Sequence, residues 1–350
     1  MNSSSKNENK NENEIVNDAD NDYKQIQLLD ILPNQILGLD IYLYLPTNNK
    51  YVKYINASDT MDFDQLQRLK FKKINELFIK RVDIEKYNRY ISSNIRALLN
   101  TNANNEEAKQ KSVKVAAELI ISSIDMLSSD SDIIEWNNNC VELTKTVIDD
   151  IVQTDDISTA FDSISDYLSD RPTLANHSLV VSSLGVIIAM SLGNSDPRTL
   201  SEIAYGGLVH DIGLGELPSK VSEKYFNNEE MTLAEMALLK EHPRKGVILL
   251  QRNIKSKNIT DNVLKIVFEH HENICGKGYP NGLSYNELSY LPKIISIADK
   301  LSFKMMQSRK EDISLKYIVL NLMRDQAGKE LLDNKMIKVV LENLSYGRTK

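Results

Sequence analysis

All five histidines of this chain, His177, His210, His242, His270 and His271, lie in its second half. The first four follow one another at intervals of about 30 residues, each close to one helix plus a connection, so successive helices can each turn one imidazole inward. Asp211 follows His210 directly in GGLVHDIGLGELP, where a helix is expected to end near Gly213. Its carboxylate is placed to bridge two ions while His210 binds one. Asp299, in IISIADKL, follows Ile294, Ile295 and Ile297 on an apolar helix, where a charged residue needs a partner or a metal. Five imidazoles and two carboxylates make seven candidate ligands, enough for two ions with positions open for water and substrate. A lone helical histidine is usually an ordinary core or surface residue, and His-Asp alone is a weak signal. The regular spacing of the whole set is what points to a metal centre.

The segment HHENICGKGYPNG, residues 270 to 282, puts two imidazoles at the end of an apolar run and follows them with a glycine-rich turn. This reads as half of a metal site with a lip over it. Glu272, beside His271, is the candidate for orienting a histidine ligand from behind, set against a plain solvated helix-end carboxylate. Tyr279 is suited to bonding a phosphate or stacking on a base, and equally to packing its own loop.

The elements that must hold these groups read as helices from about 156 onward. They fall around 160 to 168, 176 to 192 closed by Gly193, 199 to 211, 232 to 251, 260 to 271 and 293 to 306, with Thr232 and Glu235 forming a capping box at one start. Before them, IYLYLP and YVKYIN flank the turn-like TNNK as a hairpin, and ELFIKR is a further extended run leading into an amphipathic helix from Ile84. The expected organisation is a disordered, Asn-rich tail over 1 to 22, a small α+β accessory domain over 23 to 100, a helical connector over 101 to 155, and an all-α helical-bundle domain over 156 to 350. The accessory domain carries no histidine and no phosphate loop, so it reads as regulatory or structural.

Composition narrows the function further. A net charge of −7 argues against a sequence-independent grip on DNA or RNA polymers, which is built from Lys and Arg on phosphates. Two distant cysteines, Cys140 and Cys275, indicate neither a disulfide framework nor a zinc ribbon and fit a reducing cytoplasm. The most apolar run, residues 178 to 193, is short for a membrane span and interrupted by serines and a glycine, so no membrane crossing is expected.

Taken together, His, His-Asp, His, His-His-Glu, Gly-Tyr-Pro and Ala-Asp in this order resemble the HD-GYP family of bacterial metal-dependent phosphodiesterases, over about 156 to 305. The resemblance implies an HD-type domain and a metal shell of His177, His210, Asp211, His242, His270, His271 and Asp299. Asp211 would bridge two divalent ions, iron or manganese, and with His210 would form the catalytic pair. Members that bind a third metal have a glutamate four residues before the first histidine, where this chain has Thr173, which implies a two-metal site. The implied substrate is cyclic di-GMP, opened to linear pGpG by a hydroxide held between the metals. Gly278, Tyr279 and Pro280 would line the substrate pocket.

The sequence departs from the family where substrate is gripped. Leu214 stands where HDIGK has its lysine, Cys275 replaces the aspartate usual before the G-x-G-Y-P segment, Ser302 replaces a second aspartate beyond Asp299, and SRKED at 308 to 312 replaces an Arg-Pro-Tyr segment. Arg309 and Lys310 are the candidates for a replacement cationic contact. The leading expectation is a cytoplasmic cyclic di-GMP phosphodiesterase. Beside it stand a non-catalytic receptor or scaffold that binds a cyclic dinucleotide or a diguanylate cyclase, and an HD phosphohydrolase acting on another nucleotide.

Overall fold

The computed structural model describes residues 22–100, 106–127, 129–154, 157–164, 167, 173–252, 257–308, 315–327 and 331–346. Two units follow one another along the chain, one ending at Tyr87 and one beginning at Asn88. The first is α+β and the second is built from helices.

In the first unit β1 (Tyr23–Gln27), β2 (Ile41–Leu45), β3 (Lys50–Ile55) and β4 (Glu76–Lys80) form an antiparallel sheet in the order β1-β4-β2-β3. The expected hairpin is β2–β3, with Leu45 opposite Lys50 and Asn49 in the left-handed region at its turn. Sequence reading passes over β1, because YKQIQ buries only Ile26 and shows no sustained alternation of apolar residues. Ile26, Leu77, Ile79, Ile41 and Ile55 turn inward and are buried, as are Met61 and, on α1 (Phe63–Phe71), Leu69. Tyr87 donates its phenol proton to Asp30 at 2.8 Å within this core.

The division falls within α2 (Ile84–Leu99). The second unit continues through α3 (Glu106–Ser122), α4 (Asp130–Val152), α5 (Ile157–Ile164), α6 (Leu174–Ser191), α7 (Pro197–Val209), α8 (Ser219–Asn227), α9 (Leu233–Leu239), α10 (His242–Gln251), α11 (Asp261–Glu269), α12 (Tyr290–Ser308), α13 (Leu315–Ala327) and α14 (Asn334–Tyr346). Its axis is α6, buried from Ala175 through Ala189 and packed against α3, α4, α5, α7 and α12. Among the described helices α6 is long and apolar enough by composition to cross a membrane, yet 89% of it is buried inside the unit, so neighbouring helices account for its apolar character.

Two local results differ from the sequence reading. The helix expected over 232 to 251 is two helices, α9 and α10, broken at Lys240 and Glu241. Pro243, in the first turn of α10, has no N–H to continue a helix from upstream. The expected Thr232–Glu235 box does start α9, with Glu235 N to Thr232 Oγ1 at 3.2 Å and Thr232 N to Glu235 Oε2 at 2.8 Å. Between α7 and α9 the chain also forms a 3-10 helix (Ile212–Glu216) and α8, which the sequence reading left without structure.

Candidate metal centre

The seven side chains singled out from the sequence converge in two groups. His177 stands in the first turn of α6, His210 closes α7 with Asp211 after it, and His242 opens α10. His270 closes α11 with His271 following, and Asp299 lies midway along α12. Asp211, His242, His270 and His271 bring candidate ligand atoms within 4.8 Å of one another, and so do His177, His210 and Asp299.

Asp211 faces both groups. Its Oδ1 is 3.0 Å from His242 Nε2 and 3.3 Å from His270 Nε2, while its Oδ2 is 3.3 Å from His210 Nε2 and 3.5 Å from His177 Nε2. Asp299 Oδ1 lies 3.3 Å from His177 Nε2. Pairs of ring nitrogens also face each other, His177 with His210 at 3.2 Å and His242 with His270 at 3.3 Å.

The far sides of the rings explain this orientation. His210 Nδ1 is 2.8 Å from Gly207 O, His242 Nδ1 2.7 Å from Leu239 O, and His270 Nδ1 2.9 Å from Val267 O. A carbonyl only accepts, so Nδ1 keeps the proton and Nε2 presents its lone pair inward. Each acceptor is the carbonyl three residues back, one that a helix end leaves free. The break between α9 and α10 therefore does work at the site: it frees Leu239 O to hold His242.

Burial alone would raise the Asp211 carboxyl, but the His210 and His242 imidazoles outweigh it and hold it well below the usual carboxylate range. Asp299 is likewise held low against burial, by Lys300 and His177. Burial pushes His270 down to about 4, helped by His210 and His242, and pushes His271 well below its ordinary value. His210 is raised against its burial by the Asp211 charge. Ionised carboxylates beside His270 and His271 held neutral are the state that metal ligation requires, and at His210 a metal ion would take the place of the proton that Asp211 favours.

A test of fit comes from the unsatisfied atoms. Asp211 Oδ1 and Oδ2, Asp299 Oδ1 and His271 Nε2 are buried without a hydrogen-bond partner. Each such group costs about 1–3 kcal/mol, more when charged, so four of them converging on one region mark where cations belong. Imidazole and carboxylate donors together suit divalent transition metals.

Residues 162–335 match the family model for the HD domain. This stretch is an HD domain. The family is metal-dependent, and the His and Asp groups above lie within the matched residues. A cyclic di-GMP phosphodiesterase, PdeB, from Borreliella burgdorferi is 27% identical over 49% of this chain and 44% of its own length. Another cyclic di-GMP phosphodiesterase, PA4108 of Pseudomonas aeruginosa, is 31% identical over 35% of this chain and 28% of its own. The chain thus spans less than half the length of these curated relatives. The solved structure of Bd1817, a HDG"Y"P protein from Bdellovibrio bacteriovorus, superposes with a TM-score of 0.64 at 21% identity, covering 93% of this chain and 100% of that one. With Gly278-Tyr279-Pro280 in place, the HD domain here is of the HD-GYP kind.

The lip of the HD domain is held by a residue expected to do something else. Glu272 orients no histidine; its Oε1 accepts from Asn281 N at 2.6 Å and Gly282 N at 3.1 Å, and its Oε2 from Leu283 N at 2.9 Å. Those bonds fold the Gly-Tyr-Pro segment back over His271, whose ring stacks on Tyr279 at 4.7 Å. Gly278 lets the loop close, since a Cβ there would lie 2.4 Å from Glu272 Cα. Pro280 is half-buried beside Tyr279 in this segment. Cys275 bonds Asn273 Oδ1 at 3.1 Å and belongs to neither ligand group. Arg309 and Lys310 fall outside the described residues.

Sequence reading missed the aromatic cover and two cations. Phe303 lies 4.5 Å and Phe226 5.7 Å from the His177 ring, centre to centre, and Tyr225 packs on Phe303 at 5.0 Å. Lys240 sits 5.8 Å over the Tyr279 ring, and Lys300 Nζ is 2.9 Å from Asp299 Oδ2. Tyr225 and Phe226 were hidden because α8 itself was not foreseen. Phe303 stands four residues beyond Asp299 on the same helix face, and that spacing was the available signal.

Ser302, noted only as a departure from the family, stands behind His177, with Oγ 3.0 Å from Nδ1 and no exposure. It takes the place that backbone carbonyls hold for His210, His242 and His270, so among these four supports it is the one that a substitution can remove. Ser302→Ala is expected to weaken metal binding at the His177 group by about 10–100-fold and leave the other group loaded, while Ser302→Thr retains both. Elemental analysis across a chelator series measures this, and equal retention by the Ala variant would refute the role.

Proposed function

We propose that this chain is a phosphodiesterase that opens cyclic di-GMP to linear pGpG at a pair of divalent ions, iron or manganese. The observation that carries the reading is the division of Asp211, whose two oxygens face two separate imidazole groups as a bridging carboxylate must. His177, His210 and Asp299 would hold one ion, and His242, His270 and His271 the other. When bound, such a pair supplies Lewis-acid polarisation of the phosphoryl oxygens and a water acidic enough to attack at neutral pH.

The chain's own groups do the rest. Burial, with Asp211 and Asp299 nearby, keeps the Tyr225 and Tyr279 phenols protonated, so each is a donor toward a phosphoryl oxygen. Lys240 and Lys300 add positive potential beside the lip, which draws a doubly anionic ligand. Phe226 and Phe303 shut bulk water away from His177, which strengthens charge interactions there. The relatives named as cyclic di-GMP phosphodiesterases support the choice of substrate.

A second reading is favoured by Leu214, buried in an apolar cluster with Leu217, Val221 and Leu239 where the family has a phosphate-contacting lysine. It is a receptor that keeps the metals and binds a cyclic dinucleotide, or a diguanylate cyclase protein, without turnover. Chromatography of cyclic di-GMP incubated with the Mn²⁺- or Fe²⁺-loaded protein separates the two. Linear product that disappears in His210→Ala is expected; tight binding with no product would replace the enzyme reading with the receptor.

A further inference from the structure

A pocket of about 370 Å³ opens between the start of α6, the 3-10 helix and α8. Leu174, Leu214, Leu217 and Phe226 give it apolar walls, and Glu223 stands at its rim. Phe226 is shared between the two: its ring meets the His177 ring in an edge-type contact at 5.7 Å, and the residue also lines the pocket. Ser219 also lines the wall, at the first residue of α8, and three further polar side chains there are engaged within the protein. Thr173 Oγ1 accepts from Asn176 N at 3.2 Å, Ser222 Oγ donates to Leu214 O at 3.0 Å, and Asn227 donates to Glu229 at 3.1 Å. Glu223 is exposed and makes no ion pair or hydrogen bond among the described residues.

An apolar slot beside a free carboxylate is wrong for a phosphate, which would meet like charge and no cation. It is right for a flat ring with N–H donors along one edge. Guanine has that edge: N1–H and the 2-amino group match the two oxygens of a carboxylate. Adenine turns the lone pair of its N1 to the same place and is repelled. Flipped or unstacked bases are read in this way elsewhere, by hydrogen bonds to the Watson–Crick edge and stacking on an aromatic face.

We infer that this pocket is a nucleobase subsite selective for guanine, with the base stacked on Phe226 and its edge bonded to Glu223. The inference rests on the phosphodiesterase reading for the phosphate, which would lie at the His177 group on the other side of Phe226. Its own chemistry comes from the pocket. Leu214 is one of the four apolar walls of the slot; a lysine there would place a cation where the ring must lie. The residue that removes a phosphate contact therefore provides a base contact.

Calorimetric titration of GMP and of AMP into the Mn²⁺-loaded full chain tests this, because the two probes share a phosphate and differ only in the base. GMP is expected to bind at least about tenfold more tightly, and Glu223→Ala, at an exposed position that leaves the fold intact, to bring the two within about twofold. Equal binding of the two nucleotides, binding of neither, or a preference that survives Glu223→Ala overturns the subsite. Hydrolysis of bis(p-nitrophenyl) phosphate by the same preparation reports on the metal centre separately. Base preference without hydrolysis upholds the pocket and sinks the enzyme; hydrolysis without base preference does the reverse.

Discussion

Asp211→Asn is expected to bind at most one ion per chain and to lose more than about a thousandfold of its phosphodiester hydrolysis, beyond the 10²–10³ typical of removing one transition-state donor. The substitution keeps the volume of the side chain and changes only what its two ends offer. An amide has one oxygen for one imidazole group, and its NH₂ would point at the other, donating to His Nε2 lone pairs that a metal needs. The metal-free variant should nevertheless melt within about 5 °C of the metal-free wild type, because a neutral amide in that position escapes the cost of a buried charge and satisfies a ring nitrogen. Elemental analysis with a thermal melt in chelator separates these effects. Two ions retained per chain would show that Asp211 does not bridge, and a collapsed fold would show that its role is structural.

How much of this centre could be read from the sequence depended on where each ligand sits relative to its helix. His210 and His270 close helices whose apolar periodicity is regular, so their inward direction followed from spacing, and Asp299 was legible because a charge among Ile294, Ile295 and Ile297 demands a partner. The α+β and all-α organisation was legible for the same reason. The contacts behind the ligands were not. Leu239 O reaches His242 only because the chain breaks before Pro243, and periodicity runs straight through that break. Glu272 looked like a partner for its neighbour His271, whereas it serves three backbone N–H groups nine to eleven residues on, a relation that only the closed loop creates. Helix α8 escaped notice because SKVSEKYFN has few apolar residues and takes its position from packing of Val221 and Phe226 against Leu214 and its neighbours. With it went the aromatic cover and the wall of the pocket. Substitutions at Leu214 and Ser302 look like losses when read against a family pattern, yet in three dimensions one shapes a slot and the other props a ligand.

Among the described glycines, Gly213→Ala should be the most damaging substitution. A Cβ at this position would lie 2.0 Å from His242 O, 2.6 Å from Gly246 N and 3.0 Å from His242 C. All three are backbone atoms, so no rotamer change relieves the clash and α10 must move away from the 3-10 helix. Overpacking usually costs 1–3 kcal/mol, and a contact of backbone on backbone belongs at the upper end, about 3 kcal/mol or more. For a unit of this size that lowers the melting midpoint by roughly 6–12 °C. The displacement acts directly on His242, the first residue of α10, and so on its 3.0 Å approach to Asp211 Oδ1. The ion position shared with His270 and His271 should therefore empty while the His177, His210 and Asp299 position keeps its metal. Gly215→Ala, two residues along the same 3-10 helix with nothing within 4 Å of the added carbon, is the matched control and should change stability by less than about 0.5 kcal/mol. If the two variants melt together and bind metal alike, the close packing of His242 against the turn after Asp211 is not what sets the spacing of the two ligand groups.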